Sequence, residues 1–394
     1  MNNLETKPID TSKNTHLLFE IEKGIALPTI VFFGGIHGNE KAGVTALKRV
    51  LIDIDTYNLH GNVYGILGNL KALDEDQRYI DEDLNRLWTR AYIEKALSKT
   101  SVNNEELQLQ EIFGLIKTIL EKNKGPFYFI DLHTTSSQSL PFITINDALI
   151  NRGFSKLFPV PIVLGIEEYL EGALLSYINS LGYVSIGFES GQHTDIRSVE
   201  NNIAFIHLAL VFSGILDKIN TNVEHHLETL KSASKGSDQF YEIVHLLKIT
   251  GKDHFKMKEG FKSFQRISKG TPIATYNEKE ICSNYNGYLF MPLYQNKGNE
   301  GFFIIKPILP FFLFLSRVLR RFKVDSLLVG LPGISWESKK EGVLKADLKV
   351  VQFLAKPIFH ILGYRSRTVT ENKVLLYNRE RVAKSKIYKK ESWY

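Results

Sequence analysis

The sequence predicts an α/β protein: a mixed, mostly parallel sheet flanked by helices, then a smaller β-rich C-terminal domain and a helical extension. Three observations predict it. Short apolar runs, "TIVFFGG", "GNVYGILG", "PFYFIDL", "PFITI" and "GYVSIGFES", alternate with longer stretches of helical period across the first half. The 394 residues exceed the ~250–300 at which a single core stops growing, so there is room for an appendage. Hydrophobic residues at 43% and charged residues at 23% are ordinary globular values, which disfavours disordered and fibrous classes.

Between the second and third runs, "EELQLQEIFGLIKTILEKN" sets Leu109, Ile112, Phe113, Ile116, Ile119 and Leu120 at helical spacing, which makes one buried face. A second long helix is expected from Ser198 to about Leu216. Residues 219–237 lose apolar periodicity and gain Ser, Gly and Lys, the mark of a boundary. The predicted units are therefore 1–225, 226–306 and 307–394. In the middle unit, "GFKSFQRISKGTPIATYN" and "NYNGYLFMPLY" alternate apolar with polar residues, as strands do. In the last, "PFFLFLSRVLRRF" and "LKADLKVVQFLAKPIFHIL" read as amphipathic helices and "KVLLYN" as a closing strand.

Lys and Arg number 49 against 43 Asp and Glu, a weak bias toward anionic partners. The basic end "NRERVAKSKIYKKESWY" reads as a solvated, frayed terminus rather than a nucleic-acid arm, and no nucleic-acid partner is expected. The single cysteine, Cys282, excludes an intramolecular disulfide and suits a reducing compartment. The N-terminus lacks the basic start and apolar core of a secretory signal, so a cytoplasmic location is predicted. Phe302–Leu319 is the most apolar stretch, but Lys306, Pro307 and Pro310 break it short of the ~18 residues a spanning helix needs. An interfacial membrane helix at 302–319 is the minority reading. Neither G-x-G-x-x-G nor G-x-x-x-x-G-K-[ST] occurs, so no nucleotide cofactor is indicated.

Three apolar runs end in ionisable residues: His37 and Glu40, Asp131 and His133, and Glu189. Open α/β sheets bind ligands beyond the carboxyl ends of their strands, so these chain-distant groups can meet in one crevice. Two imidazoles and a carboxylate are a zinc donor set that leaves one position for water. A carboxylate off the metal must then take the water's proton, and Glu189 fits that role. Each element has a bland alternative: a surface His-Glu pair, a polar strand end, a helix cap. A fourth feature weighs against coincidence, because "RYIDEDLNRLW" crowds Arg78, Asp81, Asp83, Asn85 and Arg86 into one short segment.

Taken in order, "GGIHGNE", "GNLKAL", "RYIDEDLNRLW", "DLHTTSS" and "GFESG" resemble the succinylglutamate desuccinylase and aspartoacylase family, a branch of the zinc carboxypeptidase fold. The resemblance covers roughly residues 25–305 and is clearest to about 215. It implies one Zn2+ per chain held by His37, Glu40 and His133, with Glu189 as general base and acid. It implies Arg78 as the oxyanion stabiliser, Asn85 and Arg86 as the pair that holds a substrate carboxylate, and Asp83 as the group orienting a zinc-bound His. The implied reaction is hydrolysis of the amide of a small N-acyl amino acid. Rivals are a zinc carboxypeptidase or esterase on peptide-like substrates, and a non-catalytic protein that docks on a membrane or partner.

Two positions depart from members that act on acetylaspartate. Their arginine ten residues before the catalytic Glu is Asn179 here, and their substrate-binding tyrosine falls near Phe302 or Phe303, with Tyr294 as a substitute. Acetylaspartate is therefore not the expected substrate. His193 reads equally as a pocket residue or a locally bonded one, His225 and His226 as surface residues, and Cys282 as buried or idle.

Overall fold

The computed structural model describes residues 15–54, 58–250, 254–347, 349, 356–368 and 372–394. Its main sheet begins with β1 (Leu17–Ile21), β2 (Thr29–Gly34), β3 (Asn62–Leu67), β4 (Phe127–Thr135), β5 (Phe142–Ile145), β6 (Ile162–Leu164), β7 (Val184–Gln192) and β8 (Phe240–Lys248). Beyond these lie β9 (Phe255–Met257), β10 (Gln265–Ile267), β11 (Pro272–Tyr276), β12 (Lys279–Cys282), β13 (Gly287–Phe290) and β14 (Glu300–Pro307). The eleven strands of the main sheet run β1-β3-β2-β4-β7-β5-β6-β8-β14-β13-β10. Strands β3, β2, β4 and β7 are mutually parallel, β5 is antiparallel to β7, and β14, β13 and β10 continue antiparallel.

The period of two along the central strands builds two cores. In β2, Ile30 and Phe32 face one side and Val31 and Phe33 the other; in β4, Tyr128, Ile130 and Leu132 oppose Phe127 and Phe129. Both strands are buried at every position, as interior parallel strands covered on two faces must be. The helices Lys41–Ile54 and Arg197–Phe212 close the first face, and Asn104–Lys122 closes the second. That last helix starts in a capping box between Asn103 and Glu106 and buries Leu109, Ile112, Ile116 and Ile119; Phe113 and Leu120 are only partly buried.

Several expectations are corrected. Residues 219–237 contain the helix Val223–Ala233, whose weak pattern follows from its burying Leu230 alone. Within it, His226 is not a plain surface residue: it is partly buried and stacks on His207 at 4.5 Å. Phe302–Leu319 is two elements, β14 and the helix Pro310–Arg321. Val343–Asp347 is a strand, not a helix; residues 350–355 of that expected helix lie outside the described residues, and Lys356–Ile361 is helical. Val343–Asp347 is β16, and with β15 (Ile334–Ser338), β17 (Tyr364–Thr368) and β18 (Lys373–Asn378) it forms a four-stranded antiparallel sheet ordered β15-β16-β18-β17.

The C-terminus is not frayed. The Tyr388 hydroxyl donates to the Phe127 carbonyl at 2.5 Å and accepts the Val184 N–H at 3.0 Å, and the Trp393 ring packs on Phe154 at 5.5 Å. These two aromatic anchors outweigh the surrounding lysines, because packed rings contribute large contact area and the Tyr388 hydroxyl finds both a donor and an acceptor. A second lock is ionic. Asp147, just past β5, is met by Arg152 Nε at 2.6 Å and by Arg320 Nη2 and Arg365 Nη2, each at 2.8 Å. Burial alone would raise the Asp147 pKa, but the three guanidinium charges hold it well below the usual carboxylate range. Two of those arginines, Arg320 and Arg365, come from the extension and fasten its described residues to the wall that follows β5.

Candidate active site

His37 stands in the turn after β2, and glycine is what lets that turn close. A Cβ on Gly38 would lie 2.0 Å from the Ala72 carbonyl carbon, while Gly35 takes a φ of +75°. The Gly38 N–H donates to the Arg78 carbonyl at 3.2 Å, which ties the His37 turn to the charged loop. Glu40 opens the helix Lys41–Ile54, and His133 lies in β4, in register with Glu189 of β7. The fold thus brings His37, Glu40 and His133 together: all three are buried, with one donor atom of each within 4.8 Å of the others.

Both imidazoles turn Nδ1 toward Glu40, at 2.7 Å for His37 and 2.9 Å for His133. Each Nε2 is held from behind by a carboxylate: Asp83 Oδ1 at 3.1 Å from His37, and Asp131 Oδ2 at 2.7 Å from His133. A carboxylate on the far ring nitrogen fixes tautomer and orientation, the arrangement metal-binding histidines use. Glu40 also accepts the Thr134 N–H at 3.0 Å. Burial opposes ionisation of Glu40, yet His37 and His133 hold its pKa well below the ordinary value; burial likewise opposes protonation of His133, yet Asp131 and Glu40 raise its pKa well above normal. Glu40, Asp83 and Asp131 thus surround the two rings with negative charge, and this donor set fits a divalent metal.

Arg78 spans the cluster, donating from Nη2 to Asp83 Oδ2 at 3.0 Å and from Nη1 to Glu40 Oε1 at 3.5 Å. Glu189 is buried, and its Oε2 has no hydrogen-bond partner among the described residues. Burial, reinforced by the charges of Glu40 and Asp131 and opposed by His133 and Arg78, pushes its pKa up to about 8. All of these groups line one pocket of about 110 Å³, except Asp83 and Asp131, which stand behind the rings. Its polar wall includes Thr144, Asn146 and Ser176; its apolar wall includes Ile145, Ile166, Leu170, Leu175 and Phe303.

Asn85 and Arg86 also line the pocket, with partners the sequence did not foretell. The Asn85 side-chain oxygen accepts the Leu174 N–H at 2.9 Å, and Arg86 Nη2 donates to Glu300 Oε1 at 3.0 Å. Of the aromatic alternatives, Phe303 faces the pocket; Phe302 packs in the core behind it, and the Tyr294 hydroxyl donates to the Lys258 carbonyl at 2.7 Å. Asn179 is buried in the helix Leu174–Ser180, away from the pocket lining.

His193 does line the pocket: with its Nε2 donating to Gln295 at 3.3 Å, its Nδ1 accepts the Thr134 hydroxyl at 2.7 Å. Sequence reasoning gave no role to Asp131, although its two-residue spacing from His133 on a strand puts both on one face. It also missed Glu105. This buried carboxylate accepts the N–H groups of Ile80, Asp81 and Glu82 at 2.7, 3.0 and 3.3 Å and so folds the loop that carries Arg78 to Arg86.

The fold and pocket define an α/β protein with a buried His-Glu-His cluster that could hold a metal ion. Residues 26–213 match the family model described as the Succinylglutamate desuccinylase/Aspartoacylase catalytic domain. It is 29% identical to a probable aspartoacylase of Acaryochloris marina, over 39% of this chain and 52% of that protein. It is 26% identical to an N-acyl-aromatic-L-amino acid amidohydrolase (carboxylate-forming) of Xenopus tropicalis, over 65% of this chain and 86% of that one. The chain thus spans about half the length of the Acaryochloris relative. A crystal structure of a succinylglutamate desuccinylase/aspartoacylase from Rhodobacter sphaeroides superposes with a TM-score of 0.56 at 15% identity, covering 73% of this chain and 88% of that one, a likeness of fold.

Proposed function

We propose that the chain is a cytoplasmic, metal-dependent amide hydrolase that cleaves a small N-acyl amino acid with an apolar acyl or side-chain group. The observation that carries this reading is the convergence of His37, Glu40 and His133 beside Glu189, whose Oε2 is unpartnered. One Zn2+ held by those three residues would supply Lewis acidity to the substrate carbonyl and to water. Glu189 takes the proton of the attacking water and returns it to the leaving nitrogen. Arg78, a fixed and always-charged donor, faces the oxygen on which negative charge develops. Asp83 and Asp131 keep the two rings turned toward Glu40.

Asn85 and Arg86 receive the substrate carboxylate, which at Arg86 exchanges places with Glu300. The walls of Ile166, Leu170, Leu175 and Phe303 favour an apolar group, consistent with the activity named for the Xenopus relative. A panel of N-acyl amino acids, short peptides and esters, assayed with zinc-loaded protein, tests the substrate class. N-acyl amino acids with apolar or aromatic groups should be the best substrates; a clear preference for peptides or esters would overturn the assignment.

A further inference from the structure

We propose that the helix Pro310–Arg321 and the basic groove beside it form a docking surface for an anionic lipid bilayer. The helix is turned the wrong way for an ordinary surface helix. Its buried residues are Ser316 and Arg320, whereas Phe311 is 64% exposed and Phe314 63%. Just outside it, Leu309 is 61% exposed, Phe322 79% and Leu327 75%. Phe311, Phe314, Val318 and Phe322 are spaced i, i+3, i+7 and i+11, so they share one stripe. Large apolar side chains exposed together mark an interaction site more often than chance.

The inward face explains the inversion. Ser316 donates to the Ile361 carbonyl at 2.7 Å, and Arg320 reaches Asp147 Oδ2 at 2.8 Å and the His360 carbonyl at 2.9 Å. Hydrogen bonds and an ion pair, more than apolar burial, hold the helix down. Its phenylalanines are left over for a partner.

The neighbouring groove, about 1150 Å³, identifies that partner. It is lined by Lys156, Arg317, Arg321, Lys323, Lys339 and Lys340. Its two acidic residues are already engaged. Asp325 accepts from the Tyr364 hydroxyl at 2.9 Å and Arg381 Nη2 at 2.8 Å; Glu380 accepts the Leu149 N–H at 2.6 Å and Arg320 Nη1 at 3.4 Å. A second copy of the chain would bring like charges face to face. A nucleic acid would use the groove but not the stripe, since Phe311, Phe322, Leu309 and Leu327 lie outside the groove lining. An anionic bilayer takes both: headgroup phosphates meet the lysines and arginines, and the phenylalanines enter the acyl boundary.

Sedimentation of the full chain with vesicles tests this, using phosphatidylcholine alone and phosphatidylcholine mixed with phosphatidylglycerol. Wild type should bind the mixed vesicles and bind less as salt rises. Phe311→Ser with Phe314→Ser and Phe322→Ser should weaken binding by about tenfold or more, with unchanged thermal unfolding because those rings are exposed. Lys339→Glu with Lys340→Glu should weaken it on anionic vesicles only. Failure of wild type to bind the mixed vesicles would overturn the proposal. So would equal binding by the phenylalanine variant, a dimer that dissociates in that variant, or tighter binding to a DNA duplex than to the vesicles.

Discussion

Two buried ionic clusters stand on opposite sides of the wall that follows β5, and they are built by opposite rules. Around Asp147, Arg152, Arg320 and Arg365 converge on one carboxylate and engage both its oxygens, and Glu380 also pairs with Arg320. Around Glu40, the carboxylates Asp83, Asp131 and Glu189 outnumber Arg78, and oxygens of Asp131 and Glu189 lack partners among the described residues. The first cluster is closed and fastens the extension to the core. The second opens on a pocket and holds more carboxylates than guanidinium groups, an arrangement that could accommodate a cation.

If that contrast is right, substitutions in the two clusters have different readouts. The largest effect belongs to Glu189→Gln, which should keep metal content and folding yet lower kcat by about 10²–10⁴-fold, the range for losing a general base. Near-normal turnover would remove Glu189 from the mechanism. Asp147→Asn should leave the pocket groups intact but strand buried guanidinium charges, costing about 3–5 kcal/mol in denaturant unfolding. A cost within about 0.5 kcal/mol, as for an ordinary surface change, would show that the cluster is not a lock.

A smaller effect tests the support behind the rings. Asp83→Asn should weaken metal affinity by about 10–100-fold, measured by competition with a chelator, because His37 loses its charged partner. Unchanged affinity would leave Asp83 serving Arg78 alone. The smallest effect is in acid. The Asp147 pKa is depressed below its ordinary 3.8, so its contribution to stability is complete above that value and is lost only as pH falls through the folded-state value. Thermal scans should show no Asp147-dependent change from neutral pH down to about 5. Below about 4, wild type should lose stability faster than Asp147→Asn; parallel curves there would contradict the linkage.

The same contrast explains what could be read in the sequence. His37, Glu40, His133 and Glu189 are legible because each closes an apolar run that becomes a strand or a strand end, and strand ends of a parallel sheet meet at one crevice. The partners of Arg86 and Asp147 are not. Glu300 is 214 residues from Arg86, and Arg365 is 218 from Asp147, with no local spacing to relate them. Gln295, which accepts from Asn39 Nδ2 at 2.9 Å, is equally remote. The C-terminus misleads for a compositional reason: its lysines and arginines mask Tyr388 and Trp393, which decide where the segment goes. The helix Pro310–Arg321 shows apolar periodicity, but its polar residues point inward, so the pattern predicts the helix and not its orientation.

No helix among the described residues is long and apolar enough to cross a membrane.

The most direct measurement is elemental analysis of the purified full chain beside His133→Ala. We expect one zinc or other divalent ion per wild-type chain and its loss in the variant. A wild-type chain that is active without stoichiometric metal, or a variant that retains the ion, would contradict a cation held by His37, Glu40 and His133.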